Sequence, residues 1–511
     1  MSVAAGPRVG TAGGWLALGI VAFLVASPVA VIVTSILDPS TSMWADLWET
    51  RLPGMIVDTL TLLVTAYDFP ARRVIAWLFV APLAIPGYVA GFVWLDTLSG
   101  PLGARGVRSI WLCAATLTLT LYPYVYLFAR AAFRSQGSDA RDAARTLGVG
   151  PVRSFFRVAL PTARPALAAG ATLVMMEVLT DVGTVRLFNV STVADGVLRV
   201  WYSTGSRDAA AELATTLVAT AVLLIALERG LRGSARYGRR AASRPMSPTT
   251  LGPAGRAVAF ATSLLVLVVA VGIPLTRLVD WSVEATGAGA TRTVAGGLWH
   301  HTSSTLVVAS LAALTCIGSG MLLAFLARRR GRAGRAIGRI AALGYAMPGP
   351  VVAVGAVITL AALDRSGIVP SSFVFVGSVA GLVFALTVRF LAVALHGVES
   401  GLERISPSTI DSARMLGARP GRIARSVELP AARASVVAAG ALLLIDLMKE
   451  LPITLLLRPF GFDTLAVWVW QATSESLWAQ AALPSLAIVV VGMCAIGALL
   501  IALDRGAEVA S

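Results

Sequence analysis

The sequence predicts an all-α polytopic membrane protein of about twelve transmembrane helices, arranged as two halves that repeat in the same orientation. Three observations carry this reading. The 511 residues are 57% hydrophobic and only 14% charged, with mean hydropathy +0.79, outside the range of soluble globular domains. Apolar residues gather in runs long enough to cross about 30 Å of hydrocarbon, about 20 residues each. A polar, arginine-rich stretch between such runs occurs twice with one spacing: Asp142-Ala143-Ala144, Gly148 and Leu160-Pro161 return as Asp411-Ser412-Ala413, Gly417 and Leu429-Pro430.

Taken in order, clear apolar runs lie at 13–36, 73–98, 109–133, 166–186, 209–227, 257–279, 303–327, 338–363, 372–397, 435–457 and 482–503. The first continues past a faint signal-peptidase pattern at Leu24–Ala30 to Ile36, which favours an uncleaved span. A twelfth crossing is expected at 53–70, where the second span is unusually short. Its apolar core, Met55–Ala66, is too short to cross comfortably, and Pro53 to Pro70 gives only about 27 Å of helix and includes Asp58 and Asp68. Parity requires it to cross, tilted or partly re-entrant. Otherwise Arg72, Arg73 and the first arginine-rich loop would lie on the opposite face from the second.

The net charge of +15 is concentrated beside the spans, at Arg141–Arg164, Arg229–Arg244, Arg328–Arg339 and Arg414–Arg433. The positive-inside rule puts these loops, and with them both termini, in the cytoplasm. No separate basic domain is left to bind nucleic acid. The stretch 229–256, rich in Arg, Gly, Ser and Pro, reads as a cytoplasmic linker between a first half, 1–228, and a second, 257–511. The halves also match at Ile85-Pro86-Gly87 with Met347-Pro348-Gly349, and at Arg164 with Arg433. Because the order is direct, the halves can pack about a pseudo-two-fold axis normal to the membrane, with a path between them.

In each duplicated loop the Asp-Ala/Ser-Ala segment favours a short helix with its acid toward the positive end. Gly148 and Gly417 suit a left-handed helix end. A second short helix is expected over 152–158 and 422–427, with Pro161 and Pro430 turning the chain into the next span. The product is an arginine-bearing knob. One such loop would be an ordinary solvated loop, whereas two with identical spacing indicate a docking surface.

The pattern Glu-Ala-Ala, three residues, Gly, nine residues, Ile-x-Leu-Pro marks the inner-membrane permease subunits of bacterial ABC importers, and both loops resemble it with Asp for Glu and Val for Ile. Leu121–Phe133, Glu177–Thr184 and Lys449–Phe460 are similar to segments of the fused two-half permeases of ferric-iron importers. The resemblance implies that each knob is a coupling helix seated in an ATPase subunit. Two ATPase copies carrying ATP and Mg are then expected, with an extracytoplasmic substrate-binding protein and a place in the bacterial inner membrane. Ferric iron is the implied substrate; thiamine, phosphonate and other small-solute permeases share the architecture and stay open. The shortened second span and Ser412 in place of Ala depart from the pattern.

The chain offers no ATP site and no catalytic residue, since its one lysine, Lys449, lacks the glycines of a phosphate-binding loop. No cofactor or metal of its own is expected. Cys113, Cys316 and Cys494 read as small buried hydrophobes, and His300, His301 and His396 as interfacial rather than metal-binding. Tryptophans of the outer loops, among them Trp468, Trp470 and Trp478, read as an interfacial belt or as part of a surface for the binding protein.

Glu177 with Asp181, and Asp446 with Glu450, stand four residues apart at equivalent repeat positions, which puts each pair on one helical face. With Lys449 they are the candidate translocation path, because ionisable groups at such depth face a partner or a water-filled route. The alternative is a set of static salt bridges using Lys449, Arg186 or Arg458. An ion-coupled secondary transporter and a membrane scaffold are the competing classes.

Overall fold

The computed structural model describes residues 67–68, 70–135, 146, 154, 159–204, 207–232, 249–250, 252–287, 291–341, 344, 347–367, 370, 373–403 and 405–508. The expected first span at 13–36, nearly all of the short second span and most of the first knob lie outside them. In the first half α1 (Arg72–Leu78) leads through a 3₁₀ turn into α2 (Gly87–Gly106), followed by α3 (Ile110–Ser135), α4 (Leu160–Thr180), α5 (Gly183–Leu187), α6 (Val193–Thr204) and α7 (Arg207–Arg232). The second half opens with α8 (Pro253–Leu267), which passes through a π-helical turn into α9 (Ile273–Gly287), and continues with α10 (Thr291–Ala341), α11 (Gly349–Arg365) and α12 (Val379–Leu402). Then come α13 (Pro407–Met415), α14 (Pro420–Ile423), α15 (Leu429–Met448), α16 (Pro452–Leu457), α17 (Leu465–Ser474) and α18 (Trp478–Glu508). A two-residue parallel pairing of Tyr67–Asp68 with Thr249–Thr250 ties the linker's end to the start of the described first half.

The direct repeat is visible helix by helix, α2 to α7 matching α11, α12 and α15 to α18 in order. Pro86 and Pro348 show how closely: each precedes the helix in the same extended conformation, φ −57° ψ 146° and φ −57° ψ 144°. A proline in the first turn is tolerated, but the residue before it is pushed out of the helical region. The runs 73–98 and 338–363 are therefore not the continuous helices that their hydropathy suggests. Val74–Ala84 and Gly87–Gly103 meet at 92°, and α11 likewise begins only after Pro348. The runs 166–186 and 435–457 are also interrupted, after Thr180 and Met448.

Among the described residues six helices are long and apolar enough to cross a membrane: Ile110–Phe133, Pro253–Ala285, Gly297–Arg328, Val379–Leu402, Gly421–Met448 and Trp478–Ala498, with the bent pair as a seventh. The Arg328–Arg339 loop is a helical bend. At Gly334 an added Cβ would press on the backbone of Ala327, seven residues back and about 10.5 Å away in a straight helix. Both limbs of α10 reach α12, Gly320 at Ala394 and Gly338 at Leu395.

The halves interlock through their last helices. α7 packs on α11 of the second half, and α18 on the 3₁₀ turn before α2 of the first, where Gly492 meets Ala84. α9 is clamped to α2 by Arg277 and Asp96 at 2.6 Å and by Trp281 and Phe92 at 5.6 Å, while Trp478 stacks on the same Phe92 ring at 5.7 Å. Trp468 rests on His301, whose Nδ1 lies 3.0 Å from the Asp463 carbonyl oxygen. These tryptophans join helices. Cys113 and Cys316 are buried as expected, but Cys494 is exposed.

Candidate functional site

Where three of the four broken elements converge, a cavity of about 80 Å³ opens between the halves, room for several water molecules. Its walls include Glu177, Asp181, Asp446, Lys449 and Glu450, all five of the expected path residues. Two of the breaks, those after α4 and α15, are organised by an acid. After α4, Asp181 Oδ1 accepts from the backbone N–H of Thr184 at 2.8 Å and of Val185 at 3.3 Å, and Oδ2 from the Thr184 hydroxyl at 2.7 Å. After α15, Glu450 does the same for α16, accepting from Ile453 N–H at 3.0 Å, Thr454 N–H at 3.1 Å and the Thr454 hydroxyl at 3.2 Å. Free N–H groups at a buried helix start are costly, and these carboxylates satisfy them.

The remaining charges divide unevenly. Lys449 Nζ lies 2.8 Å from Asp446 Oδ1, and the Tyr124 hydroxyl of the first half donates to that oxygen at 3.1 Å. Lys449 also donates to the Tyr124 oxygen at 3.4 Å, so the triad bridges the halves. Arg389, a buried arginine of α12, reaches Glu450 at 3.5 Å. The Glu177 carboxylate lines the cavity without a hydrogen bond or ion pair among the described residues. Arg186 and Arg458, weighed as partners for the membrane acids, turn to the outer loops instead, Arg186 to Asp195 at 3.4 Å and Arg458 to Asp463. The repeated Pro-Gly motif gains a function here. A Cβ at Gly87 would stand 2.6 Å from the Thr184 hydroxyl, and one at Gly349 would fall on the Arg389 guanidinium, so both glycines let the bent backbone close the cavity.

The second knob is described in full. Ser406, not Asp411, caps α13, its hydroxyl accepting from Thr409 N–H at 3.2 Å. Asp411 sits inside the helix, exposed and paired with Arg414 at 3.0 Å. Gly417 is left-handed at φ 77°, as expected. Bonds from Gly417 N–H to Arg414 O and from Ala418 N–H to Ala413 O close the helix end in a Schellman arrangement. This projects Met415 and Leu416, each 88% exposed, from the knob tip among arginines. Pro430 makes no turn. From Pro420 the chain stays helical through a π turn at Ala424–Glu428 into α15; the wider turn accommodates a proline that an α-turn would reject. Leu160 and Pro161 open α4 as Leu429 and Pro430 open α15. Asp142, Ala143, Ala144 and Gly148 lie outside the described residues.

A family model, the binding-protein-dependent transport system inner membrane component, matches the chain twice, at residues 54–228 and 317–507. The chain belongs to this family. The permease is 26% identical over 422 residues to the Fe(3+)-transport system permease protein FbpB 2 of Haemophilus influenzae, covering 82% of this chain and 80% of that one. It is 28% identical over 196 residues to the sulfate transport system permease protein CysT of Escherichia coli, 35% of this chain and 69% of the relative. With the molybdate/tungstate transport system permease protein WtpB of Thermococcus kodakarensis it shares 28% over 122 residues, 24% and 47% of the two chains. Family membership makes the protein a multi-pass transport component and implies an ATPase and a substrate-binding protein as partners.

Sequence reasoning missed Arg389 and Tyr88 in the permease's cavity and Tyr124 behind its Asp446. Arg389 had a visible signal, as the one charge between Val379 and Leu395 in an otherwise apolar run. The tyrosines had none, since aromatic residues are ordinary in apolar helices.

Proposed function

We propose that this permease forms the translocation path of an ATP-driven importer from its own two halves, with ferric iron as the substrate. The observation that carries it is the knob tip, where Met415 and Leu416 stand exposed on a Gly417-closed helix; apolar side chains held out in this way want a partner's groove. One ATPase copy would seat on each knob, at Asp142–Pro161 and Asp411–Pro430, and carry the ATP and Mg. Knobs, linker and termini then face the cytoplasm of the bacterial inner membrane, and twelve crossings complete the two halves, 1–228 and 257–511.

The mechanism follows from the continuity of the helix. Displacement of the second knob is carried along Pro420–Met448 to Asp446 and Lys449, where the bridge to Tyr124 is the natural place for the halves to part. The alignment with FbpB 2 over four-fifths of both chains supports iron. The shorter alignments with sulfate and molybdate permeases make an oxyanion the second reading. The test is co-purification of the ATPase with wild-type chain and with Leu416→Asp, followed by uptake assays with ferric iron, sulfate and molybdate. ATPase loss in the variant and ATP-dependent iron uptake by the wild type are expected. Undiminished ATPase binding in the variant would refute the docking assignment, and uptake of an oxyanion alone would refute the substrate.

A further inference from the structure

The two walls of the cavity differ in what neutralises them. Four carboxylic and two basic side chains line it, and both bases are engaged by acids of the second half, Lys449 by Asp446 and Arg389 by Glu450. On the first-half wall Asp181 is hydrogen-bonded to the start of α5 but has no ion pair among the described residues. Glu177 has neither, and it faces Arg389 across the cavity without pairing to it. Beside them stands Tyr88, 4% exposed, whose hydroxyl has no hydrogen-bond partner among the described residues. Tyr88 lines the same cavity and lies against Gly183, where a Cβ would be 2.8 Å from its own. The second repeat has Pro350 at the position of Tyr88 and Lys449 at that of Thr180.

Two carboxylates with no salt bridge among the described residues and an orphan phenol hydroxyl give the first-half wall oxygen groups only. In a membrane interior such a set is costly unless a charged species visits it. We infer that Tyr88, Glu177 and Asp181 form a transit site for a hard, multiply charged cation, and that Lys449 and Arg389 are resident counter-cations holding the opposite wall. The inference rests on the chain being a permease with its path between the halves. Oxygen ligands favour hard cations, and an excess of acids over bases disfavours an oxyanion. A cation on the first wall repels Lys449, and withdrawal of that ammonium loosens the Asp446–Lys449–Tyr124 bridge. Entry of the ion and parting of the halves are thereby linked.

The test uses the full chain with its ATPase in phosphatidylcholine nanodiscs, titrated with terbium(III) as a hard trivalent probe and read by luminescence excited through nearby aromatic rings. One saturable site is expected. Glu177→Gln, which removes no hydrogen bond or ion pair among the described residues, weakens it by about tenfold, and Lys449→Met, which frees Asp446, tightens it by about tenfold. A merely structural Lys449 cannot produce the gain. Absence of a saturable site, or affinity unmoved by Glu177→Gln, or no tightening in Lys449→Met overturns the inference. So does molybdate binding by equilibrium dialysis that is lost in Lys449→Met. Failure of the ATPase to co-purify would instead strike the permease reading, and the same titration on the chain alone would still report on the cation site.

Discussion

The two halves share a scaffold and differ in chemistry. Pro86 and Pro348 hold the same backbone, and Asp181 and Glu450 cap α5 and α16 in the same manner. In the second half each acid also forms a salt bridge, while in the first neither does among the described residues. Duplication preserved what shapes the cavity, the prolines, glycines and capping acids. The charge balance diverged where one wall has Tyr88 and Thr180 and the other Pro350 and Lys449. Constraint falls on the groups that satisfy backbone N–H at the breaks, and freedom on those that only face the space between.

The sharpest way to break this comparison is to remove one acid from each wall. Asp446→Ala leaves the Lys449 ammonium buried without its counter-ion and should cost about 3–5 kcal/mol, read by thermal unfolding in nanodiscs. Glu177→Gln should stay within about 0.5 kcal/mol, as a change that breaks no buried contact; equal losses would show that the walls are alike. Next, Asp181→Ala should cost about 1–2 kcal/mol through the lost cap, and Asp181→Asn about half as much, because the amide oxygen still accepts. By a similar amount, Tyr124→Phe should cost about 1–2 kcal/mol, because the lost hydroxyl donates to Asp446 and accepts from Lys449, and a double-mutant cycle with Asp446→Asn should show coupling between the halves. At the surface, Asp411→Asn should change stability by less than about 0.5 kcal/mol, since its pair with Arg414 is exposed.

Much of this architecture is legible in the residues. The duplicated Asp, Gly and Leu-Pro spacing marks the knobs, and the left-handed Gly417 is readable because few other residues take that backbone. Acids four apart mark the cavity. The breaks were harder. Met347-Pro348-Gly349 was visible as a motif, yet hydropathy runs straight through it, because the chain stays apolar where its helix ends. The π turn at Ala424–Glu428 has no signature beyond a proline that should have disrupted the helix. The uneven pairing was also out of reach, since Arg389 and Tyr124 meet the acids only through folding, 61 and 322 residues away in sequence.

The central claim is that ATP hydrolysis by a docked partner moves these halves. The most direct measurement is solute uptake into proteoliposomes holding the chain, its ATPase and its binding protein, with and without ATP and with and without an imposed proton gradient. Uptake that requires ATP, ignores the gradient and is lost with Leu416→Asp is the predicted result. Uptake driven by the gradient in the absence of ATP would contradict the account.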